Sequence, residues 1–524
     1  MTFLAPAPAF ADWLRAETDN FVVIGDTSES RISTVANRLE LYRKVLHRFN
    51  NVKERENNSK LHIYIVKSND DIKKISPRMG KNIAGVFFNN KYETVALSTM
   101  IEDEFNDYFS VIAHEYYHYF MYSETPGYYP PWVSEGLAEY FSEIKFTKST
   151  IDFGLLSKSR GYSIINSKNM PIGKLIDKNI KDRGNEFYAQ SWLLTHYFMS
   201  DDVRKKQFYK YIALVQEGKN SIEAMEVATG EPLENLQKNY EKYKSARLVA
   251  WRLQRGNNYP DTNVTLTKLD NKTGKLYVDT VIYNLYESRN IDWKDGTYAT
   301  LLEEAKARAR PLQNTKLAKQ LLISYMILED RYDEADAALA AALKEDPDNL
   351  DLLHMQADIL MTKAQEAQDN EQENQFLAQA RLVYGKITKI DPNNGKAFIR
   401  YLEAIRNTPN FTSENSENVA WLALELLPHS DYVRKIFSVI LSQRGKYDDA
   451  IYAVTPLASG GHDDRGAYAA AKAIEHLKQK KPLSLRDWYR FETERPKAED
   501  HDTQARLNPA LDAPTFTKSS HLLH

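Results

Sequence analysis

The residues of this chain best placed for chemistry lie in the run His114-Glu115-Tyr116-Tyr117-His118. On a helix, positions i and i+4 stand one turn apart on one face, so the two imidazoles can converge on one metal ion. Glu115 projects beside them, near enough to take a proton from a water at that metal. A second run, Pro130-Pro131-Trp132-Val133-Ser134-Glu135-Gly136-Leu137-Ala138-Glu139, follows a turn-rich connection and puts Glu135 seventeen residues beyond His118. A helix, a turn and an antiparallel helix can bring that carboxylate back over the two histidines. Three protein ligands plus water form an open, catalytic zinc site, whereas structural zinc sites are closed by four. Glu139 shares a helix face with Glu135 and can accept a hydrogen bond from the distal nitrogen of a ligating histidine. Gly136 and Ala138 permit close approach of another helix. The chain has no cysteine, so thiolate sites and disulfides are excluded.

These motifs need a scaffold, and the sequence from about 12 to 248 reads as a small sheet followed by helices, an α+β pattern. Phe21–Gly25 and Leu61–Val66 read as strands by their β-branched and aromatic content, with an amphipathic helix at Arg31–Phe49 between them. Ala84–Phe88 and Tyr92–Leu97 flank Asn89-Asn90-Lys91 and read as a hairpin. Helices are expected at Asn106–Tyr122, Val133–Ile144 and Asn185–Met199. Tyr116, Tyr117 and Phe120 are expected in the core. Residues 249–298 form a bridge, with possible strands at Asn263–Leu269 and Lys275–Ile282.

From 299 to 482 the pattern is helical and repetitive. Ala335, Leu339, Ala342 and Pro347 share their spacing with Ala380, Tyr384, Ile387 and Pro392, and Ala420, Ala423 and Pro428 match the last three. Small residues let the helices of a pair approach, and the proline ends the second helix. The pattern resembles tetratricopeptide repeats, whose period is about 34 residues. Successive prolines here are 45 and 36 residues apart, which places an insertion near 364–373. Stacked helix pairs imply a surface for a protein partner. Because every proposed ligand precedes residue 200, deleting 299–482 is expected to spare metal binding. Residues 483–524 read as a polar, mostly disordered tail.

The pair HEYYH and WVSEGLAEYF resembles the gluzincin metallopeptidases, and among them the peptidase MA-like domains. The resemblance implies a thermolysin-like catalytic domain followed by a tetratricopeptide-like solenoid, with zinc held by His114, His118 and Glu135 and Glu115 as general base. By the same resemblance Tyr188, at the start of a downstream helix, donates to the oxyanion, with His196 as the alternative donor. The fold implies that Ala84, Gly85 and Val86 lie on an edge strand that pairs with an extended peptide. Aminopeptidase relatives carry a glutamate in that strand; this one has none, which favours internal cleavage. The metzincin scheme fails, because Met121 and Glu124 stand where it needs glycine and histidine; Glu124 remains an alternative ligand.

The expected activity is therefore zinc-dependent hydrolysis of peptide bonds. The rival expectation is a repeat-based scaffold with an inactive peptidase domain. A net charge of -3 gives no basic excess for nucleic acid. No apolar run reaches the roughly 18 residues of a membrane span. The first eleven residues, apolar and ending Ala9-Phe10-Ala11, resemble the end of a signal peptide with its cleavage site, which implies an exported, periplasmic or secreted protein; the alternative is cytoplasmic.

Overall fold

The structure is a computed structural model that describes residues 13–54, 60–75, 85–89, 91–99, 108–166, 170–177, 180, 183–246, 248–287, 296–459 and 464–494. The N-terminal segment 1–11 and Ala84 lie outside these residues, as does the tail beyond Glu494.

The chain builds an α+β domain followed by a helical region. Among the described residues nine strands, β1 (Trp13–Glu17), β2 (Phe21–Asp26), β3 (Leu61–Val66), β4 (Gly85–Asn89), β5 (Thr94–Thr99), β6 (Lys145–Phe146), β7 (Thr150–Phe153), β8 (Trp251–Gln254) and β9 (Thr265–Leu269), form two sheets. The larger has the order β4-β5-β3-β2-β1-β9 and the smaller β6-β7-β8. Strand β2 runs parallel to β3, and β3 parallel to β5, whereas β4 returns antiparallel on β5 and forms one edge.

Among the described residues eleven α-helices belong to this part: α1 (Glu29–Asn50), α2 (Asn69–Ile75), α3 (Tyr108–Glu124), α4 (Pro131–Ser142), α5 (Lys158–Asn166), α6 (Ile172–Leu175), α7 (Asn185–Met199), α8 (Asp202–Gln216), α9 (Ser221–Thr229), α10 (Leu233–Tyr243) and α11 (Asn271–Glu287). The period of two sorts the strand residues between the sheet's faces. Phe21, Val23, Ile63 and Ala96 join a core with α1, α3, α4 and α7. Val22, Ile24, Tyr64 and Val95 join a second core with Val281 and Ile282 of α11.

The stretch 249–298 departs from its expected role as a bridge. Strand β9 extends the large sheet beside β1, and β8 pairs with β7. Lys275–Ile282 is helical within α11, although Val278, Thr280, Val281 and Ile282 favour a strand by type. Packing overrides that preference. Gly274, in the first turn of α11, sits so close to Trp13 that a Cβ there would fall 1.9 Å from its Cγ.

In the helical region, Ala335, Ala380, Tyr384, Ile387, Ala420 and Ala423 are all buried between helices. The expected insertion lengthens a pair, Leu350–Gln365 and Asn370–Ile390. Pairing continues past 482: Leu485–Thr493 is a helix with a capping box at Ser484, and it buries Trp488 and Phe491. The polar composition of this stretch hid an apolar i, i+3 pair, so the tail begins later than expected.

Candidate metal centre

Helix α4 begins with Pro131, whose fixed φ suits a first helical turn and whose missing N–H loses nothing there. It packs between α3 and α7. Gly136 makes this possible, since a Cβ there would lie 2.3 Å from Thr195 Oγ1 and 2.6 Å from the Ser191 carbonyl oxygen of α7. The residue beside it, Glu135, is thereby held over α3 with its side chain 1% exposed.

Three donor atoms converge. The Nε2 atoms of His114 and His118 are 3.2 Å apart. Glu135 Oε2 lies 3.4 Å from the first and 3.3 Å from the second. Zinc bonds of about 2.0–2.2 Å in a tetrahedron require ligand separations of roughly 3.3–3.5 Å. The observed triangle matches that spacing to within about 0.1 Å on every edge. The residues present therefore fit a tetrahedral cation with one open position. Glu124, the alternative ligand, closes α3 and is not part of this cluster.

Further groups orient the ligands. Glu139 Oε1 lies 3.4 Å from His114 Nδ1, where the sequence places a hydrogen-bond acceptor. Ser134 Oγ is 3.2 Å from His118 Nδ1. Glu139 is gripped in turn by Arg160 of α5, with Nε to Oε2 at 2.8 Å and Nη2 to Oε1 at 2.5 Å. Sequence reasoning missed both Ser134 and Arg160. Ser134 adjoins Glu135 and could have been found from the register of α4. Arg160 stands in a stretch without pattern, and nothing in the sequence points to it.

Glu115 is partly exposed on α3 between the two histidines. Burial disfavours the His114 cation, but the bond to Glu135 and the charges of Glu139 and Glu115 outweigh it and raise its pKa. Tyr188, in the first turn of α7, has its ring centroid 6.4 Å from that of His114, and Arg160 lies 5.1 Å over the Tyr188 ring. Burial, reinforced by Glu135, Glu115 and Glu139, raises the phenol's pKa and keeps it protonated.

The alternative donor His196 lies deeper in the core than Tyr188. It stands eight residues along α7 from Tyr188, a rise of about 12 Å. It is buried in the core, with Nδ1 2.8 Å from Tyr243 Oη and its ring against Trp192. Desolvation there lowers its pKa to about 4. Tyr116, Tyr117 and Phe120 are core residues, as their positions predict. Gly85 does allow a close approach, but to α3: a Cβ there would lie 2.7 Å from Val111 Cγ1. Val86 is half-buried on the edge strand, packed toward the second core. No protein-family model and no curated protein matches the chain.

Proposed function

We propose that this protein is a zinc-dependent peptidase of thermolysin-like architecture that cleaves within polypeptides, with tetratricopeptide-like helix pairs at its C-terminal side. The observation that carries this reading is the donor triangle of His114, His118 and Glu135, whose edges suit a tetrahedral zinc. Bound zinc would act as a Lewis acid toward a water and a scissile carbonyl. The Glu115 carboxylate takes the proton of the attacking water and passes it to the leaving amine nitrogen. The Tyr188 hydroxyl, held protonated, donates to the oxygen on which negative charge develops. Glu139 and Ser134 fix the tautomers of His114 and His118 by accepting from their Nδ1–H groups. Strand β4, at the sheet edge, offers its backbone to an extended peptide.

The test is metal analysis of the purified full chain together with cleavage of an unbiased peptide library. One zinc per chain, and cleavage that Glu115→Gln abolishes while retaining the metal, are expected. A well-folded chain that takes up no zinc, or iron in its place, would refute the reading. So would zinc-loaded protein without any cleavage, which would leave a scaffold.

A further inference from the structure

Two pieces of the α+β domain lie beside the proposed cleft and are held from outside that domain. One is the tip of the β4–β5 hairpin. The Lys91 carbonyl accepts from Ser430 Oγ at 2.7 Å, and the Lys91 ammonium lies 4.7 Å over the Tyr432 ring. Tyr92 Oη accepts from Arg400 Nη1 at 3.3 Å, and its ring lies under Lys396 and Arg400 at 5.3 and 5.8 Å. Arg400 is itself fixed, donating to Asp358 and to Glu403 Oε2.

The other is the end of α3 and its connection to α4. Tyr119, one residue past the proposed ligand His118, packs against buried His429 with ring centroids 5.4 Å apart and the planes tilted by 38°. Tyr122 Oη donates to Asp431 at 2.5 Å, and its carbonyl accepts from Arg434 Nη2 at 3.3 Å. Ser459 Oγ donates to the Gly127 carbonyl at 2.9 Å and accepts from the Tyr129 amide at 3.1 Å.

All of these outer partners lie between 358 and 459. They engage the helix that carries both histidines and the hairpin that ends in the edge strand. Among the described strands β4 pairs only with β5, and through Gly85 it packs on α3, so its position depends on what holds the hairpin and α3. We infer that the helical region is a built-in clamp that sets edge strand β4 and the α3 terminus, so that its contacts determine how an extended peptide is held. The partner of this helical surface is the chain's own hairpin. This inference rests on the peptidase reading for its effect on substrate, but the clamp itself is independent of it. Removing 299–482 would uncover Tyr92, Tyr119 and Tyr122 together, so a deletion expected to spare metal binding would still release the hairpin.

The experiment uses the full zinc-loaded chain with Tyr92→Ala, and the milder Tyr92→Phe and Lys91→Ala in case the first folds poorly. Neither residue touches the metal centre. Amide exchange in 85–89 should quicken relative to α7. The KM for a peptide of about ten residues should rise about tenfold in Tyr92→Ala, the loss of roughly one hydrogen bond's worth of binding. Turnover of a minimal substrate and zinc content should not change. Unchanged exchange in 85–89 with unchanged KM in all three variants would overturn the inference. If the parent protein cleaves nothing, the peptidase reading fails, and the exchange measurement alone still decides the clamp.

Discussion

Replacing Arg160 by methionine tests whether the proposed zinc ligands depend on a residue that touches none of them. Arg160 is 20% exposed and its partner Glu139 7% exposed, and two hydrogen bonds of 2.8 and 2.5 Å join them. Removing one partner of a buried pair costs about 3–5 kcal/mol, because the other charge is left uncompensated. The partial exposure of Arg160 puts this case near the lower bound, about 3 kcal/mol. Glu139 can then relieve its isolation by turning away toward solvent. That change weakens its hold on His114 Nδ1, now 3.4 Å away. Loss of such an outer partner lowers metal affinity about 10–100-fold. Arg160→Met should therefore bind zinc at least about tenfold more weakly in competition with a fluorescent chelator, and it should melt earlier. The double variant Arg160→Met/Glu139→Gln carries no stranded charge, so it should melt later than Arg160→Met alone. Melting serves here only to rank variants, since a chain of several cores need not unfold in one step. Zinc affinity within twofold of the parent in Arg160→Met, or a double variant less stable than the single, would refute the reasoning.

Glu115→Gln should retain zinc and lose turnover, Glu135→Gln should lose zinc, and Glu139→Gln should fall between them, with zinc content and hydrolysis read on the same samples; metal loss confined to Glu115→Gln would reverse the assignment. Gly136→Ala forces a Cβ to within 2.6 Å of the Ser191 carbonyl oxygen, so it should destabilise by about 1–3 kcal/mol and lower zinc affinity by moving Glu135; a variant that melts and binds zinc like the parent would show that α4 and α7 need not approach so closely. Burial, with the charge of Arg434, lowers the pKa of His429 to about 3, so the unfolded chain takes up its proton first as pH falls through about 6.5. Stability should fall by about 1.4 kcal/mol per pH unit from this group below pH 6.5, and His429→Phe should flatten the slope between pH 6.5 and 5 relative to the parent; equal slopes would place the titrating group elsewhere.

What was legible in the sequence is what periodicity and chemistry write directly. Leu61–Val66 and Asn185–Met199 were read to the residue, because a strand that is apolar but for His62 and a strongly apolar helix leave little choice of boundary. The donor triad was legible because helical spacing alone puts His114 beside His118 and because a turn between two helices can return Glu135 over them. β1 was missed: WLRAE lacks the β-branched run that marks a strand, and it is one only because β2 and β9 flank it. Lys275–Ile282 failed the other way, since β-branched residues that cover a sheet face as a helix look like a strand until the sheet is known.

The contacts that complete the centre and its surroundings share a different cause of invisibility. Arg160 meets Glu139 from 21 residues away, and Arg400 meets Tyr92 from 308. Such pairs carry no local period, since an arginine or tyrosine at those positions reads as solvated surface until the chain closes. A motif thus names the atoms that would meet a metal, but not the residues that hold them still. At this centre the two groups differ in what they demand of the sequence. The ligands need two histidines at helical spacing and a glutamate that the next helix returns to them, whereas their supports need only a charge of the right sign wherever the fold delivers it. Arg160 makes the difference measurable. Moving the positive charge to another residue that reaches Glu139 should restore zinc affinity to Arg160→Met, whereas moving His118 by one residue along α3 rotates it by about 100° and should restore nothing.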